Sequence, residues 1–196
     1  MIFTANQSFA LYPNLTDGAT LCMHADASDE QTATYLEKMY SGEWSGTMCL
    51  TEPHAGTDLG IIKTKAVPND DGSYQISGTK IFITGGEHDL TENIIHLVLA
   101  KTPNAPEGSK GISLFIVPKF LVNKDGSLGE RNTLAVGSIE HKMGIKASAT
   151  CVMNFDTAQG WMVGAENTGL SSMFVMMNNE RVTMGKQGLG GSELAY

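Results

Sequence analysis

Residues 51–58, T-E-P-H-A-G-T-D, combine the residue types from which ligand-binding turns are built. They follow a short apolar run at residues 48–50 and contain Pro53, which has no N–H to donate to a sheet. Gly56 allows a ligand to approach the backbone closely, and hydroxyl and carboxylate side chains surround it. The residues by themselves therefore predict a strand that leads into a ligand-binding turn.

Three later stretches stand out as well: 78–85 (G-T-K-I-F-I-T-G), 141–144 (H-K-M-G) and 178–181 (N-N-E-R). In the first of these, Phe82 and Thr84 are two residues apart, and on a strand such residues point to the same side. Glu180 lies on a predicted helix, where a polar residue of this kind commonly pairs with Lys or Arg.

The first 46 residues are predicted to be helical. Apolar residues recur at i, i+4, i+7 and i+8 within residues 14–24. Ser28 and Gln31 form a capping-box pattern, and the helix that they begin ends before Gly42. Because two helices cannot bury both of their faces, we expect residues 1–46 to be the last part of a larger helical domain.

From Ser45 the hydrophobic period changes to two, which predicts strands. The predicted strands are residues 47–50, 62–67, 73–84, 93–101, 111–117 and 149–155. Alternation in the strand 73–84 places Lys80 and Phe82 on one face and Ile83 on the other. Residues 69–72 (N-D-D-G) predict a turn between antiparallel strands, and residues 119–135 a long polar surface excursion. Short strands without intervening helices predict an antiparallel barrel or sandwich at residues 47–165.

Residues 166–196 are predicted to begin a second helical domain, capped by Asn167 or Thr168. Its glycine-rich run, residues 185–191, follows a helix rather than a strand, so we reject a dinucleotide-binding loop there. The chain ends without a helix-stop signal. The expected fold class is α+β, an antiparallel β-domain flanked by truncated all-α segments.

Composition excludes several classes of protein. The net charge of −8 argues against a nucleic-acid binder, and the apolar runs are too short to span a membrane. The three cysteines are scattered, which indicates reduced thiols, a cytoplasmic location and neither a disulfide framework nor a zinc site. The five histidines show no ligand spacing and are predicted to lie on the surface or in loops.

The four stretches, in this order, resemble the signatures of the acyl-CoA dehydrogenase family. Residues 51–58 are similar to T-E-P-x-A-G-[ST]-D, residues 78–85 to G-x-K-x-[WF]-I-T-[NG], and residues 142–144 to K-[LM]-G. The polar excursion resembles the subgroup with larger subunits. The resemblance implies a β-domain between two helical domains, which hold FAD and acyl-CoA between them. The implied reaction is α,β-dehydrogenation of an acyl-CoA thioester with hydride transfer to flavin N5.

The resemblance also implies roles for individual residues. The flavin-binding residues would be Met48, Cys49, Leu50, Thr51, Phe82, Ile83 and Thr84. Thr51 would bond the pyrimidine edge, Phe82 would lie against the ring face, and Thr84 would reach N5. The residues beside acyl-CoA would be Thr57, Asn178, Asn179 and Arg181. The methionines at 173, 176, 177 and 184 would either fill the core or line an acyl tunnel.

The resemblance allows two positions for the catalytic base. Most members of the family use a glutamate that would lie beyond Tyr196, and this chain would then lack it. A minority place the base just before the arginine of the helix motif, where Glu180 stands.

The implied partners are an acyl-CoA substrate and an electron-transfer flavoprotein or similar acceptor, with a homodimer or homotetramer as the full-length assembly. Three alternatives stay open. The first is an acyl-CoA oxidase. The second is a flavin-binding homologue without dehydrogenase activity that serves in a DNA-damage response or as an interaction protein, although this role would need a basic surface. The third is a fragment that binds nothing by itself.

Overall fold

The computed structural model describes residues 2–196, which contain helices at both ends and strands between them. The helices are α1 (Ile2–Ala5), α2 (Gln7–Asp26), α3 (Asp29–Ser41) and α4 (Gly169–Ala195). The strands are β1 (Trp44–Cys49), β2 (Lys65–Pro68), β3 (Tyr74–Thr84), β4 (Asn93–Ala100), β5 (Ser113–Pro118), β6 (Phe120–Val122), β7 (Leu128–Arg131), β8 (Leu134–Ile139) and β9 (Thr150–Val163). Short 3-10 turns occupy Leu59–Ile61 and Gly108–Gly111. None of the helices in this described part is long and apolar enough to cross a membrane.

The strands form one seven-stranded sheet and a separate two-stranded hairpin. The sheet order is β1-β4-β5-β9-β3-β2, with β8 also paired to β9, while β6 pairs with β7. The α+β class is confirmed. The β-domain is mostly antiparallel, as predicted, with two differences: β1 runs parallel to β4, and the sheet does not close into a barrel, because the path leaves β1 and β2 as two unjoined edges.

β9 turns the sheet back on itself. Its last residues pair with β5 and its earlier residues pair with β3 and β8. Gly160 lies at this crossing, where a Cβ would come 2.9 Å from the carbonyl oxygen of Ile116. The strand extends to Val163, eight residues beyond the predicted end at residue 155, because both halves of the sheet offer it partners.

Because the sheet folds back on itself, the protein has two apolar cores. Alternate residues of β4 and β5 face opposite ways, so Val98 and Phe115 pack inside the folded sheet, whereas Leu97 packs against the helices. This double burial explains the continuous apolar runs of these two strands, and their prediction is confirmed. The helix-side core takes Met23 from α2 and Met173 from α4.

The helix signals are confirmed where they are local. Ser28 caps α3 in a capping box with Gln31, and Gly42 ends the helix at φ 81°. α2 begins at Gln7, within the residues predicted to be helical, and contains Pro13. Pro13 is exposed, so the carbonyl that loses its helical partner can meet water while packing on β1 and α4 holds the helix together. α4 continues without interruption through its glycine-rich run.

The excursion 119–135 lies mostly at the surface, as predicted, and contains the β6–β7 hairpin and the start of β8. Two expectations are wrong. The predicted strand 62–67 is only Lys65–Pro68, because residues 59–64 wrap round a buried carboxylate. His96 is fully buried in β4, where Nδ1 lies 2.7 Å from Thr47 Oγ1 and burial lowers its pKa to about 3.

Candidate functional site

The first stretch forms a tight turn at the end of β1. Glu52 and Ala55 exchange two backbone hydrogen bonds of 2.9 and 3.0 Å, which place the two residues between them at the tip. Gly56 and Thr57 follow and are exposed. Asp58 then accepts a 2.8 Å hydrogen bond from Gly60 N and begins a 3-10 turn. The predicted strand and turn are confirmed, and the turn leaves Gly56 and Thr57 open to a ligand.

The second stretch presents an aromatic ring to solvent. β3 has a register shift between Lys80 and Ile83, and Phe82, within that bulge, has φ 60°. Its side chain is 59% exposed, whereas Ile83 is 1% exposed. The expectation that Lys80 and Phe82 share a face is therefore wrong, because the bulge turns Lys80 inward and Phe82 outward. An exposed aromatic face next to a rigid sheet is suited to stacking a planar ligand.

The two stretches meet directly. Ile81 N donates to the carbonyl oxygen of Thr51 at 2.9 Å, and Lys80 Nζ donates to the carbonyl oxygen of Leu50 at 2.9 Å. The sheet pairs β1 with β4 and not with β3, so these bonds are outside the regular ladder. They bring the turn after β1 beside the bulge that carries Phe82.

A buried ion pair lies beneath this junction. Lys80 Nζ is 2.9 Å from Glu52 Oε1, and the two side chains are 0% and 2% exposed. Glu52 also accepts hydrogen bonds from Lys63 N, Thr64 N and Thr64 Oγ1 at 2.6–3.0 Å. Burial raises the pKa of Glu52, but the charge of Lys80 and these donors outweigh burial and leave that pKa lowered. Burial lowers the pKa of Lys80. The nearby Glu52 carboxylate raises it by a smaller amount, so the pKa of Lys80 remains lowered.

A second ionisable group lies between α2 and α4. Glu180 Oε2 accepts a hydrogen bond from Asn14 Nδ2, and Oε1 is buried without a partner among residues 2–196. A Cβ at Gly18 would lie 3.0 Å from Oε1, so glycine makes room for the carboxylate. Burial, with a smaller contribution from Asp17, raises the pKa of Glu180 to about 7, although the bond from Asn14 lowers it. A carboxyl group with this pKa can exchange a proton near neutral pH.

Residues 47–158 match the model of the acyl-CoA dehydrogenase middle domain, and these residues contain the turn, the bulge and the ion pair. This chain belongs to the acyl-CoA dehydrogenase family. It is 55% identical over 196 residues to 3-methylmercaptopropionyl-CoA dehydrogenase of Ruegeria pomeroyi, covering 100% of this chain and 33% of that protein. It is 48% identical over 191 residues to a butyryl-CoA dehydrogenase of Syntrophomonas wolfei, covering 93% of this chain and 31% of that protein.

The solved structure of butyryl-CoA dehydrogenase from Megasphaera elsdenii has the same fold. It superposes with a TM-score of 0.80 at 27% identity, over 99% of this chain and 48% of that chain. The present chain spans about a third of the length of the curated relatives named above.

The loop that carries the acyl-CoA dehydrogenase signature at residues 141–144 returns to the second stretch at Ala149. Gly85 N donates to the carbonyl oxygen of Ala149 at 2.8 Å, and Ala149 N donates to Tyr12 Oη at 3.2 Å. The loop itself is mostly exposed, and Lys142 Nζ donates to the carbonyl oxygen of Ser148 at 2.6 Å. The first two signatures therefore meet directly, and the third is connected to them through residues 148 and 149.

The fourth signature lies on α4, and its two middle residues, Asn179 and Glu180, contact α2. Asn179 Nδ2 donates to Asp17 at 3.1 Å, while the Arg181 guanidinium donates to Asn178 Oδ1 at 2.7 Å. Tyr12 and Asn14, two residues apart on α2, contact the sheet side and the α4 side respectively. α2 therefore links the two groups of signature residues, a role that depends on tertiary contacts.

The remaining residues that were predicted to bind the flavin differ in how far they are buried. Cys49 and Ile83 pack inside the folded sheet, so only their backbone can contact a ligand, while Met48 and Leu50 pack on the helix side. Thr51 and Thr84 are half-buried. The methionines divide in the same way: Met173 and Met176 are in the core, Met177 is half-buried and Met184 is exposed.

Sequence reasoning did not assign a role to the Glu52–Lys80 pair or to Asn14. For the pair a signal was present, since Lys80 is a charged residue in the middle of a strand, directly before the apolar residues 81–83. Asn14 gave no such signal, because its neighbour Glu180 is 166 residues away in sequence.

Proposed function

We propose that this chain carries the flavin- and acyl-CoA-binding part of an FAD-dependent acyl-CoA dehydrogenase, which removes hydrogen from the α and β carbons of an acyl-CoA thioester. FAD, when bound, would supply the hydride acceptor at N5. The observation that carries the proposal is the outward Phe82 ring, placed beside the turn at Thr51 by backbone bonding between β3 and that turn.

The residues present fit the isoalloxazine ring. Phe82 offers an exposed aromatic face, and Thr51 and Thr84 offer half-buried hydroxyl groups on neighbouring segments. In the proposal, Phe82 stacks on the ring while Thr51 and Thr84 orient its two edges. Thr57 on the exposed turn would bond the CoA moiety, and Asn178, Asn179 and Arg181 would lie beside it.

We also propose that the α proton is taken by a glutamate that has no counterpart in residues 1–196, as in most of the family. Glu180 is the second candidate, supported by its burial, its unpartnered Oε1 and its raised pKa. The three-part division at residues 1–46, 47–165 and 166–196 belongs to the proposal as well. An electron-transfer flavoprotein as acceptor, a homodimeric or homotetrameric assembly and a cytoplasmic location are further parts that rest on the resemblance.

Anaerobic acyl-CoA is expected to bleach the visible flavin absorbance of the full-length protein, because hydride transfer reduces the flavin. The measurement is a spectrum before and after mixing with thioesters from short to long chains, with free CoA as the control that has no acyl hydrogens to remove. A spectrum that stays oxidised with every thioester would contradict the activity. Rapid reoxidation of the bleached flavin by dioxygen alone would instead identify an oxidase.

Glu180→Gln is expected to slow this bleaching by less than about tenfold, because the proposed base lies elsewhere. Loss of a general base commonly slows a reaction by about 10² to 10⁴. The measurement is the stopped-flow rate of flavin reduction at saturating substrate. A rate that is lower by a factor of about 10² to 10⁴ in the Gln variant would identify Glu180 as the base.

Phe82→Ala is expected to weaken FAD binding about 10- to 100-fold, because stacking a planar heterocycle on an aromatic ring contributes roughly 1–3 kcal/mol. Quenching of flavin fluorescence on titration measures the change. Tyr40→Ala is the matched control, since Tyr40 is also an exposed ring, 59% exposed like Phe82, but lies at the end of α3. Equal effects of the two substitutions would contradict the assignment.

A further inference from the structure

Phe82 stands in a backbone conformation that an aromatic residue rarely adopts. Its φ of 60° lies in the left-handed region, where a Cβ crowds the backbone and glycine is favoured. Such a residue persists only where the surrounding structure fixes its backbone on both sides. The contacts on the two sides of Phe82 therefore decide whether this conformation is kept.

On the C-terminal side, the regular sheet holds the chain. Ile83 is paired with Cys151 of β9, and its side chain is buried in the folded sheet. This side would fix any residue at position 82 equally well whether or not the ion pair is present.

On the N-terminal side, the pairing of β3 with β9 ends two residues before Phe82, at Lys80 and Met153. In addition to this pairing, two bonds hold the chain to the consecutive carbonyl groups of residues 50 and 51, from Lys80 Nζ to Leu50 and from Ile81 N to Thr51. One of these two bonds is made by a charged side chain.

Lys80 is fixed in turn by Glu52. The carboxylate takes three further donors from residues 63 and 64, so that it cannot follow Lys80 if the strand shifts. Thr64 also packs against β3, because Gly78 has no Cβ and the built position would lie 2.4 Å from Thr64 Oγ1. The connection thus runs from the 59–64 segment through Glu52 and Lys80 to the residue before the bulge.

We propose that the buried Glu52–Lys80 pair is a positioning device that holds the β3 bulge in place and so keeps Phe82 left-handed and outward, as a platform for a planar ligand. The assignment of that ligand as the flavin rests on the proposed function. Glu52 and Lys80 are positioning residues, because their charged groups are buried and act through Leu50, Thr51 and Phe82.

The rival explanation is that the pair only stabilises the folded sheet and has no bearing on position 82. Glycine and alanine at position 82 separate the two explanations. Alanine keeps the left-handed strain and glycine removes it, whereas in an ordinary strand glycine is the less stable of the two. The difference between these variants therefore reports the backbone conformation at position 82 without any ligand.

The experiment measures thermal unfolding of the full chain with Phe82→Gly and Phe82→Ala in two backgrounds. In the parent, the glycine variant is expected to melt about 2–4 °C above the alanine variant. In the background Lys80→Met with Glu52→Gln, which removes both charges, the order is expected to reverse. The same difference in both backgrounds would overturn the proposal.

The variant Lys119→Met is the matched control background. Lys119 Nζ is also a largely buried ammonium that donates to a backbone carbonyl, that of His88 at 2.9 Å, and pairs with a carboxylate, that of Glu87, but it lies between β5 and β6. The advantage of glycine at position 82 is expected to persist in it, and loss of that advantage would count against a specific role of the pair. If the double variant does not fold, Thr64→Val replaces it, since this change removes one bond to Glu52 and leaves both charges. The glycine advantage is then expected to narrow, and an unchanged advantage would overturn the proposal.

A second measurement tests the link to the ligand. FAD affinity is expected to fall at least tenfold in the double variant, with no further loss on adding Phe82→Ala, because the platform is already displaced. Additive losses would contradict the link between the pair and the ring. If the parent does not bind FAD at all, the proposed function fails, while the melting experiment still decides whether the pair positions Phe82.

Discussion

Lys80→Met is expected to lower the free energy of unfolding by about 3–5 kcal/mol, because it leaves the Glu52 carboxylate buried without its countercharge. At the size of this chain that corresponds to a melting temperature lower by roughly 6–20 °C. Urea denaturation followed by circular dichroism measures the change. The three donors from residues 63 and 64 remain, so the carboxylate keeps hydrogen bonds but loses the buried ammonium group of Lys80.

Two comparison variants test the reason for this effect. Lys101→Met removes an ammonium group that binds the Gly60 carbonyl from a half-buried position, and the expected loss is about 1 kcal/mol. Lys80→Met combined with Glu52→Gln removes both charges and is expected to recover a large part of the stability. A double variant as unstable as Lys80→Met alone would show that lost packing, and not the unpaired charge, is responsible.

Glu180→Gln is expected to stabilise the protein above pH 7 and to leave its stability near pH 4 almost unchanged. In the folded state burial raises the pKa of Glu180 to about 7, whereas the unfolded value is 4.5. Between these values the folded state binds more protons, so stability falls as pH rises from 4.5 to 7. Glutamine has no proton to lose. Allowing for solvent screening of a half-buried group, we expect a gain of about 1–2 kcal/mol at pH 8.

The measurement is the free energy of unfolding of parent and variant across pH 4 to 8. Glu87→Gln is a control of opposite sign: burial raises the pKa of Glu87, but Lys119 and Arg131 outweigh burial and leave that pKa lowered. Its stabilising contribution is present at neutral pH and is lost in acid, so the Gln variant should be less stable than the parent at pH 8. A Glu180→Gln variant that is less stable than the parent at pH 8 would show that the carboxylate is stabilised in a way that the structure does not contain.

The sequence predicted the local features of the fold with good accuracy. The capping box of α3, its terminal glycine and the turn at residues 69–72 depend on neighbours in sequence, and all three are present. The runs of β4 and β5 were predicted as doubly buried strands because both of their faces are apolar. Features with a strong short-range cause can therefore be predicted from the residues alone.

Elements that depend on distant partners were predicted less well. The segment at residues 62–64 has a strand pattern but folds round Glu52, which lies ten or more residues earlier in the chain. Histidine is a polar residue that is expected at the surface, but His96 is buried, because Thr47 Oγ1 on the neighbouring strand lies within hydrogen-bonding distance of its ring nitrogen Nδ1.

By itself the sequence determined the family, the α+β class and the four stretches that carry the site, since these are matters of residue type and order. Only the tertiary structure decided how they are arranged. The bulge between Lys80 and Ile83 places Lys80 and Phe82 on opposite sides of β3, although alternation predicts one shared face, because one residue more or less in a strand exchanges its two faces. Contacts across 28 residues pair Lys80 with Glu52, and contacts across 166 residues pair Asn14 with Glu180. Such pairings depend on how the chain folds back on itself, and the residues on either side of each partner in the sequence do not specify this.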